Sequence, residues 1–355
     1  MRAIESIIRN PSRKTRETIE NSPLTETDES TLAYIGLQPN DILGALEDLG
    51  FRCDGRFLTL NSYENRVYQI GIEDDKPVVA KFYRPGRWTD SAILEEHAFS
   101  IELADKEIPV VPPLSINGET LHHLDNFRIS ISPCRGGRSP DLDNKDLMKQ
   151  LGRLVARIHL VGESSEFSHR PRLDIESYGY NSVDYLLDND FIPDEMIDVY
   201  EGIAEHLFDG IHACFDRAGG VREIRLHGDF HPGNVLVNGE QLHIVDLDDA
   251  RTGPAIQDLW MFLSGDREEQ TPQLATMLEG YLEFRSFDPR ELHLLEALRT
   301  LRIMHYAAWL ARRWEDPAFK IAFPWFDSRR YWDEHILSLR EQAALMQEEP
   351  LTWKA

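Results

Sequence analysis

Asp229 and Asn234 stand five positions apart in His227-Gly-Asp-Phe-His-Pro-Gly-Asn234, and a further carboxylate, Asp246, ends the apolar stretch that follows. Kinase catalytic loops keep this interval between the carboxylate facing the substrate hydroxyl and the amide oxygen that binds magnesium. The chemistry implied is phosphoryl transfer. Val235-Leu-Val237 and Leu242-His-Ile-Val245 flank Asn238-Gly239, a strong hairpin signal because both turn residues tolerate positive φ. A hairpin folds the chain back on itself. Asn234 at its entrance and Asp246 at its exit then face each other, as two oxygen ligands of one hard cation must.

Phosphates also call for positive charge. Lys81 lies in Val78-Val-Ala-Lys-Phe-Tyr83, where alternation puts Val79, Lys81 and Tyr83 on one face of an otherwise apolar strand. Alone it fits an edge strand. Followed by a helix carrying Glu95-Glu96, it matches a strand lysine held by a helical glutamate and aimed at the α- and β-phosphates. Glu96 is the expected partner because it shares a helical face with Phe99 and Leu103, with Glu95 as the alternative. Leu60-Asn-Ser-Tyr-Glu-Asn-Arg-Val67 occupies the place of a phosphate loop yet holds no glycine. Its backbone N–H groups and the Ser62 hydroxyl are expected to close over phosphates.

Other readings of the same residues are weaker. His227 and His231 invite a zinc hydrolase, but zinc would leave Asn234, the hairpin and Lys81 without roles. The histidines are expected to hydrogen-bond the loop backbone instead. Asp258, in Gln257-Asp-Leu-Trp260, is expected to clamp that backbone, and Asp248 to support the cation from behind. The aromatic residues from His305-Tyr-Ala-Ala-Trp309 to Pro324-Trp-Phe326 read as core packing rather than a substrate cage.

The elements that must position these groups fall into two halves. Residues 1–35 carry few large apolar groups and read as a flexible leader. Next come a short helix from Ile42 to Leu49, strands at 57–60, 66–70 and 77–83, and a helix from about Thr89 to Lys106. Val110-Val111 and Phe127-Arg-Ile-Ser-Ile131 are expected to complete the sheet, and Ser132-Pro-Cys-Arg-Gly-Gly137 to act as a hinge. This defines an N-terminal nucleotide-binding lobe over 36–133 and a C-terminal catalytic and substrate-binding lobe over 134–355. The latter reads as helical, with helices near 146–160, 182–190, 194–218, 255–264, 271–284, 289–314 and 329–347. The fold class is α+β, with chemistry at the joint.

Composition sets limits on function. The 355 residues are 41% hydrophobic and carry a formal charge of −24, which disfavours sequence-independent binding to nucleic acid or anionic membranes. Cys53, Cys134 and Cys214 are widely spaced and form no C-x-x-C pair, so a reducing compartment fits. No long apolar run or secretory signal occurs, and a cytoplasmic monomer is expected.

His227-Gly-Asp-x-His-x-x-Asn234 and the apolar Asp motif at 244–246 resemble the signature of the aminoglycoside phosphotransferase and choline kinase superfamily. Leu60-Asn-Ser-Tyr-Glu-Asn-Arg-Val-Tyr68, Lys81-Phe-Tyr-Arg-Pro85, Ile93-Leu-Glu-Glu-His97, Asp246-Leu-Asp-Asp-Ala-Arg251 and Gln257-Asp-Leu-Trp260 are similar to a branch of bacterial stress-response serine/threonine protein kinases. The resemblance covers about residues 37–350. It implies a two-lobed protein kinase-like fold, with Asp229 as catalytic base, Asn234 and Asp246 on Mg²⁺, Ser62 on the nucleotide loop and Lys81 on phosphate. It also implies transfer of the γ-phosphate of ATP to protein hydroxyls, the enzyme's own included. The alternative is a small-molecule kinase of aminoglycoside, choline or homoserine type, with an acidic cleft for an amine. A non-enzymatic scaffold would be expected to have lost one of Lys81, Asp229, Asn234 or Asp246. Against ordinary protein kinases, His-Arg-Asp becomes His227-Gly228-Asp229 and Asp-Phe-Gly becomes Asp246-Leu247-Asp248. No Ala-Pro-Glu segment follows, so no activation-loop switch of that type is expected.

Overall fold

The computed structural model describes Tyr34 and residues 36–353, so the expected leader over 1–35 lies outside the described residues apart from Tyr34. α1 (Pro39–Asp48) presents Ile42, Ala45 and Leu46 to the interior, and the Gln38 N–H at its start donates to Asp41 Oδ2 at 3.2 Å. β1 (Cys53–Leu60), β2 (Arg66–Ile72) and β3 (Val78–Tyr83) follow, then α2 (Asp90–Asp105), β4 (His122–Leu124) and β5 (Phe127–Pro133). The five strands form one antiparallel sheet in the order β1-β2-β3-β5-β4. Ile70, Ala80, Phe82 and Ile131 of the sheet pack with Ile42 and Leu46 of α1 into a core of their own. Thr89 Oγ1 caps α2 by accepting from Ala92 N–H at 3.2 Å.

The edge strand differs from expectation. Val110 and Val111 leave the sheet, and the Val111 N–H donates at 3.0 Å to Ile244 O, in the hairpin that follows Asn234. Pro112 and Pro113 follow directly and have no N–H to continue a ladder, so His122–Leu124 takes the edge instead.

The second half is helical and much larger in core. It comprises α3 (Lys145–Gly162), α4 (Asn181–Asp188), α5 (Ile197–Ala218), β6 (Glu223–Leu226), the hairpin β7 (Val235–Asn238) and β8 (Gln241–Ile244), β9 (Arg251–Pro254), α6 (Gln257–Trp260), α7 (Arg267–Tyr281), α8 (Leu295–Ala311), α9 (Pro317–Ala322) and α10 (Arg329–Leu345). The helix expected over 255–264 shrinks to the single turn α6, and the one over 289–314 begins as a 3₁₀ segment, Pro289–Leu294, before α8. Strands β6 and β9, which no pattern announced, pair antiparallel on either side of the hairpin. α3 and α7 pack backbone to backbone, because a Cβ at Gly152 would lie 2.0 Å from Met277 O. That contact joins α3 and α7 into one platform. Among the described residues no helix is long and apolar enough to cross a membrane.

Candidate active site

The loop after β6 turns sharply at Gly228, whose φ of 83° only glycine adopts freely. A Cβ there would lie 2.2 Å from Asp249 O. Asp258 on α6 holds both ends of this turn: Oδ2 accepts from His227 N–H at 2.8 Å and Oδ1 from Gly228 N–H at 2.9 Å. Gln257 Nε2 donates to Gly228 O at 3.1 Å. Behind them His159 on α3 lies 3.3 Å from Asp258 Oδ2 and 2.8 Å from the Tyr281 hydroxyl. The clamp expected of Asp258 is present, and it is anchored to the α3–α7 platform.

Both loop histidines serve the backbone. His227 Nε2 bonds Val245 O at 3.1 Å, and His231 Nδ1 accepts from Gly233 N–H at 2.9 Å.

Asn234 Nδ2 donates to Asp229 O at 2.9 Å, which leaves Oδ1 as the oxygen available to a cation. The Val245 N–H donates to Asn234 O at 3.0 Å, and the β7–β8 register pairs Val235 with Ile244. Asn234 and Asp246 therefore flank the open end of the hairpin, as their spacing implied. Asp246 adopts a left-handed conformation, φ 63°, and its side chain is 52% exposed.

Lys81 reaches this end from β3. Its Nζ lies 3.0 Å from Asp246 Oδ1 and 3.1 Å from Asp248 Oδ1. Burial disfavours the ammonium, yet these two carboxylates outweigh it and hold the lysine well above its ordinary range. Asp248 is buried, and Arg87, Lys81 and Arg170 together hold its carboxyl well below the usual value. It also accepts from Asn65 Nδ2 at 3.0 Å, so its role extends beyond that of a cation's neighbour.

The expected Lys81–Glu96 ion pair is not formed. Asp246 and Asp248 occupy the ammonium, while Glu96, 7% exposed, sits 3.7 Å from His97 Nε2. Burial lifts the Glu96 carboxyl to about 7, partly opposed by Lys81. Glu95 is engaged elsewhere, accepting the backbone N–H groups of Ser168, His169 and Arg170 at 2.6, 2.7 and 2.7 Å. Ser62 lies on the β1–β2 loop, its hydroxyl accepting from Asn65 N–H at 3.4 Å.

Asp229 has a partner that spacing did not announce. Arg302 on α8 places Nη2 2.6 Å from Asp229 Oδ1, and His231 Nε2 lies 3.5 Å from Oδ2. Burial would raise this carboxyl, but the two neighbours hold it well below the ordinary range. Arg87 was likewise missed: it pairs with Asp248 and, at 2.8 Å, with Asp249. The carboxylates of the cleft are thus matched by cations rather than left as an acidic patch. Such pairs leave no local mark in the sequence, because their partners come from distant segments of the chain.

A two-lobed α+β fold with these groups at the joint is that of the kinase-like phosphotransferases, and the chain belongs to the phosphotransferase enzyme family, whose model matches residues 57–295. It is similar to stress response kinase A of Escherichia coli strain K12, with 42% identity over 322 residues, 91% of this chain and 97% of that protein. It is also similar to the serine/threonine protein kinase RdoA of Salmonella typhimurium, 41% identical over 323 residues, 91% of this chain and 98% of that one. Among solved structures, amicoumacin kinase hAmiN in complex with AMP-PNP, Ca²⁺ and Ami shares the fold, with TM-score 0.67, 17% identity and coverage of 89% and 95% of the two chains. Spectinomycin phosphotransferase APH(9)-Ia in complex with ADP and its antibiotic does so with TM-score 0.64, 19% identity and coverage of 88% and 99%.

Proposed function

We propose that this kinase transfers the γ-phosphate of ATP to serine or threonine hydroxyls of proteins in a bacterial stress response. The carrying observation is the convergence of Lys81, Asp229, Asn234 and Asp246 from separate segments at one lobe junction, with Lys81 and Asp246 only 3.0 Å apart. The protein acceptor is supported by the names of relatives more than 40% identical over nearly their whole length.

Asp229 orients the acceptor hydroxyl and takes up its proton late, because a carboxylate paired with Arg302 is a weak base and the transition state of phosphoryl transfer is loose. Lys81, released by Asp246 and Asp248, neutralises phosphate charge, and the Ser62 loop covers the nucleotide. The free Oδ1 of Asn234 and the half-exposed Asp246 carboxylate are hard oxygen donors that fit Mg²⁺. Held by these two residues, the ion would supply the positive charge that offsets the phosphates. We read Pro133 and Cys134 as the lobe boundary.

The solved neighbours named for amicoumacin and spectinomycin favour a second reading, a small-molecule kinase. An amine substrate would want unmatched carboxylates, whereas Asp229 already faces Arg302 and Asp249 faces Arg87. Labelled ATP incubated with the protein and a generic protein acceptor decides between them. Phosphoserine or phosphothreonine supports the first reading; label confined to small alcohols or amines overturns it.

A further inference from the structure

Three consecutive residues of the β1–β2 loop each grip the helical lobe. Tyr63 packs on Phe323 with ring centroids 4.8 Å apart, and Asn65 donates to Asp248 at 3.0 Å. Between them Glu64, its side chain only 12% exposed, accepts from the Trp309 indole N–H at 2.6 Å and pairs with Arg313 Nη2 at 2.6 Å. On the N-terminal side its other oxygen faces Arg84 Nε at 3.3 Å, and Arg84 itself reaches Asp316 at 2.9 Å. Glycine-rich phosphate loops approach a nucleotide through backbone freedom. This loop has none of that freedom and is anchored instead.

The anchor falls on a particular helix. Trp309 lies seven residues after Arg302 on α8, about 10.5 Å along the same helical face, and Arg313 follows just past its end. The face that holds the acceptor-side carboxylate Asp229 through Arg302 is therefore the face that holds the loop through Glu64. We propose that Glu64 is a positioning residue that sets the nucleotide loop in register with Asp229 by tying both to α8. The inference rests on the reading of residues 60–67 as the nucleotide loop. In-line transfer depends on donor and acceptor being held in fixed relation, so a shared rigid reference has direct kinetic value.

The test uses the full chain, calorimetric titration with Mg²⁺-ATP, steady-state kinetics with a protein acceptor, and thermal melting. Trp309→Phe removes the indole N–H and keeps a smaller aromatic ring; Glu64→Gln keeps an acceptor and loses the charge; Glu64→Ala loses both. We expect the KM for ATP to rise about tenfold in Glu64→Ala and a few-fold in the other two, as one charge-assisted hydrogen bond is worth. At saturating ATP kcat should also fall several-fold, because the loop loses its register with Asp229, while the KM for the protein acceptor should stay put. The double variant Glu64→Ala with Trp309→Phe should be no weaker than Glu64→Ala alone, since both act on one contact. Unchanged ATP affinity in Trp309→Phe and Glu64→Gln, with wild type binding normally, overturns the inference and spares the kinase reading. The same holds if only the melting temperature moves. Wild-type protein that fails to bind Mg²⁺-ATP removes both together.

Discussion

Lys81 and Asp246 meet at 3.0 Å although 165 residues separate them in the chain. The pair closes the joint between sheet and helices, with Asp248 as a second anchor on the same ammonium. On the function proposed above, an arriving phosphate would take over a cation that the two carboxylates hold neutralised.

Lys81→Met should weaken Mg²⁺-ATP binding by about ten- to a hundredfold, the worth of one hydrogen bond to a charged group. It should also leave Asp246 and Asp248 in mutual repulsion. Calorimetric titration reads the first effect, and a lowered melting temperature of the nucleotide-free protein reads the second.

Asp229→Asn and Asp246→Asn should fail differently. The first keeps shape and loses the proton acceptor, so nucleotide binding survives while turnover falls roughly 10²–10⁴-fold. The second strips charge from the cation site, so magnesium-dependent ATP affinity and turnover fall together. Titration of each variant with ATP, with and without magnesium, separates the two. Loss of metal-dependent binding in the Asp229 variant alone would reverse the assigned roles.

Asp258→Asn should damage folding as well as rate. Its two oxygens accept the N–H groups of His227 and Gly228, and an asparagine must point an NH₂ at one of them. A buried donor left unpaired costs about 1–3 kcal/mol, readable by urea unfolding, and the loosened loop should lower kcat more than it raises the KM for ATP.

Glu96 predicts a pH dependence with a definite sign. Its carboxyl is raised from 4.5 to about 7, so between those values the folded protein holds a proton that the unfolded chain has released. The folded state is then penalised as pH rises through this window, by about 3 kcal/mol at most, from the size of the shift. Glu96→Gln should flatten the stability profile between pH 5 and 8 in chemical denaturation relative to wild type. An unchanged slope would remove Glu96 as its source.

Much of the site was legible because its parts are local. A hairpin turn with Asn238-Gly239 dictates which residues stand at its two ends, and a lone aspartate in Gln257-Asp-Leu-Trp260 has little to do except accept backbone N–H groups. The partnerships that cross the chain were not legible. Arg302 is one of two arginines on α8, and only the packing of that helix turns it onto Asp229. Glu95 and Glu96 are neighbours about 100° apart on one helix, so both cannot face the sheet. Sequence identified the better packed of the two, yet Lys81 took its partners from the far side of the cleft. Strands such as Glu223–Leu226 and Arg251–Pro254 are short, and the second carries glycine and proline, so no alternation marked them.

The three N–H groups gathered by Glu95 have a consequence for how the enzyme could be controlled. Protein kinases with a swinging helix at this place use the swing as a switch. Here the helix is riveted through its middle to the 168–170 segment of the other lobe. Rotating it outward would give up three hydrogen bonds to one carboxylate at once, the amides of Ser168 and His169 turning to water and that of the buried Arg170 losing its partner. The helix at this place is thus held as a fixed part of the fold rather than as a moving one.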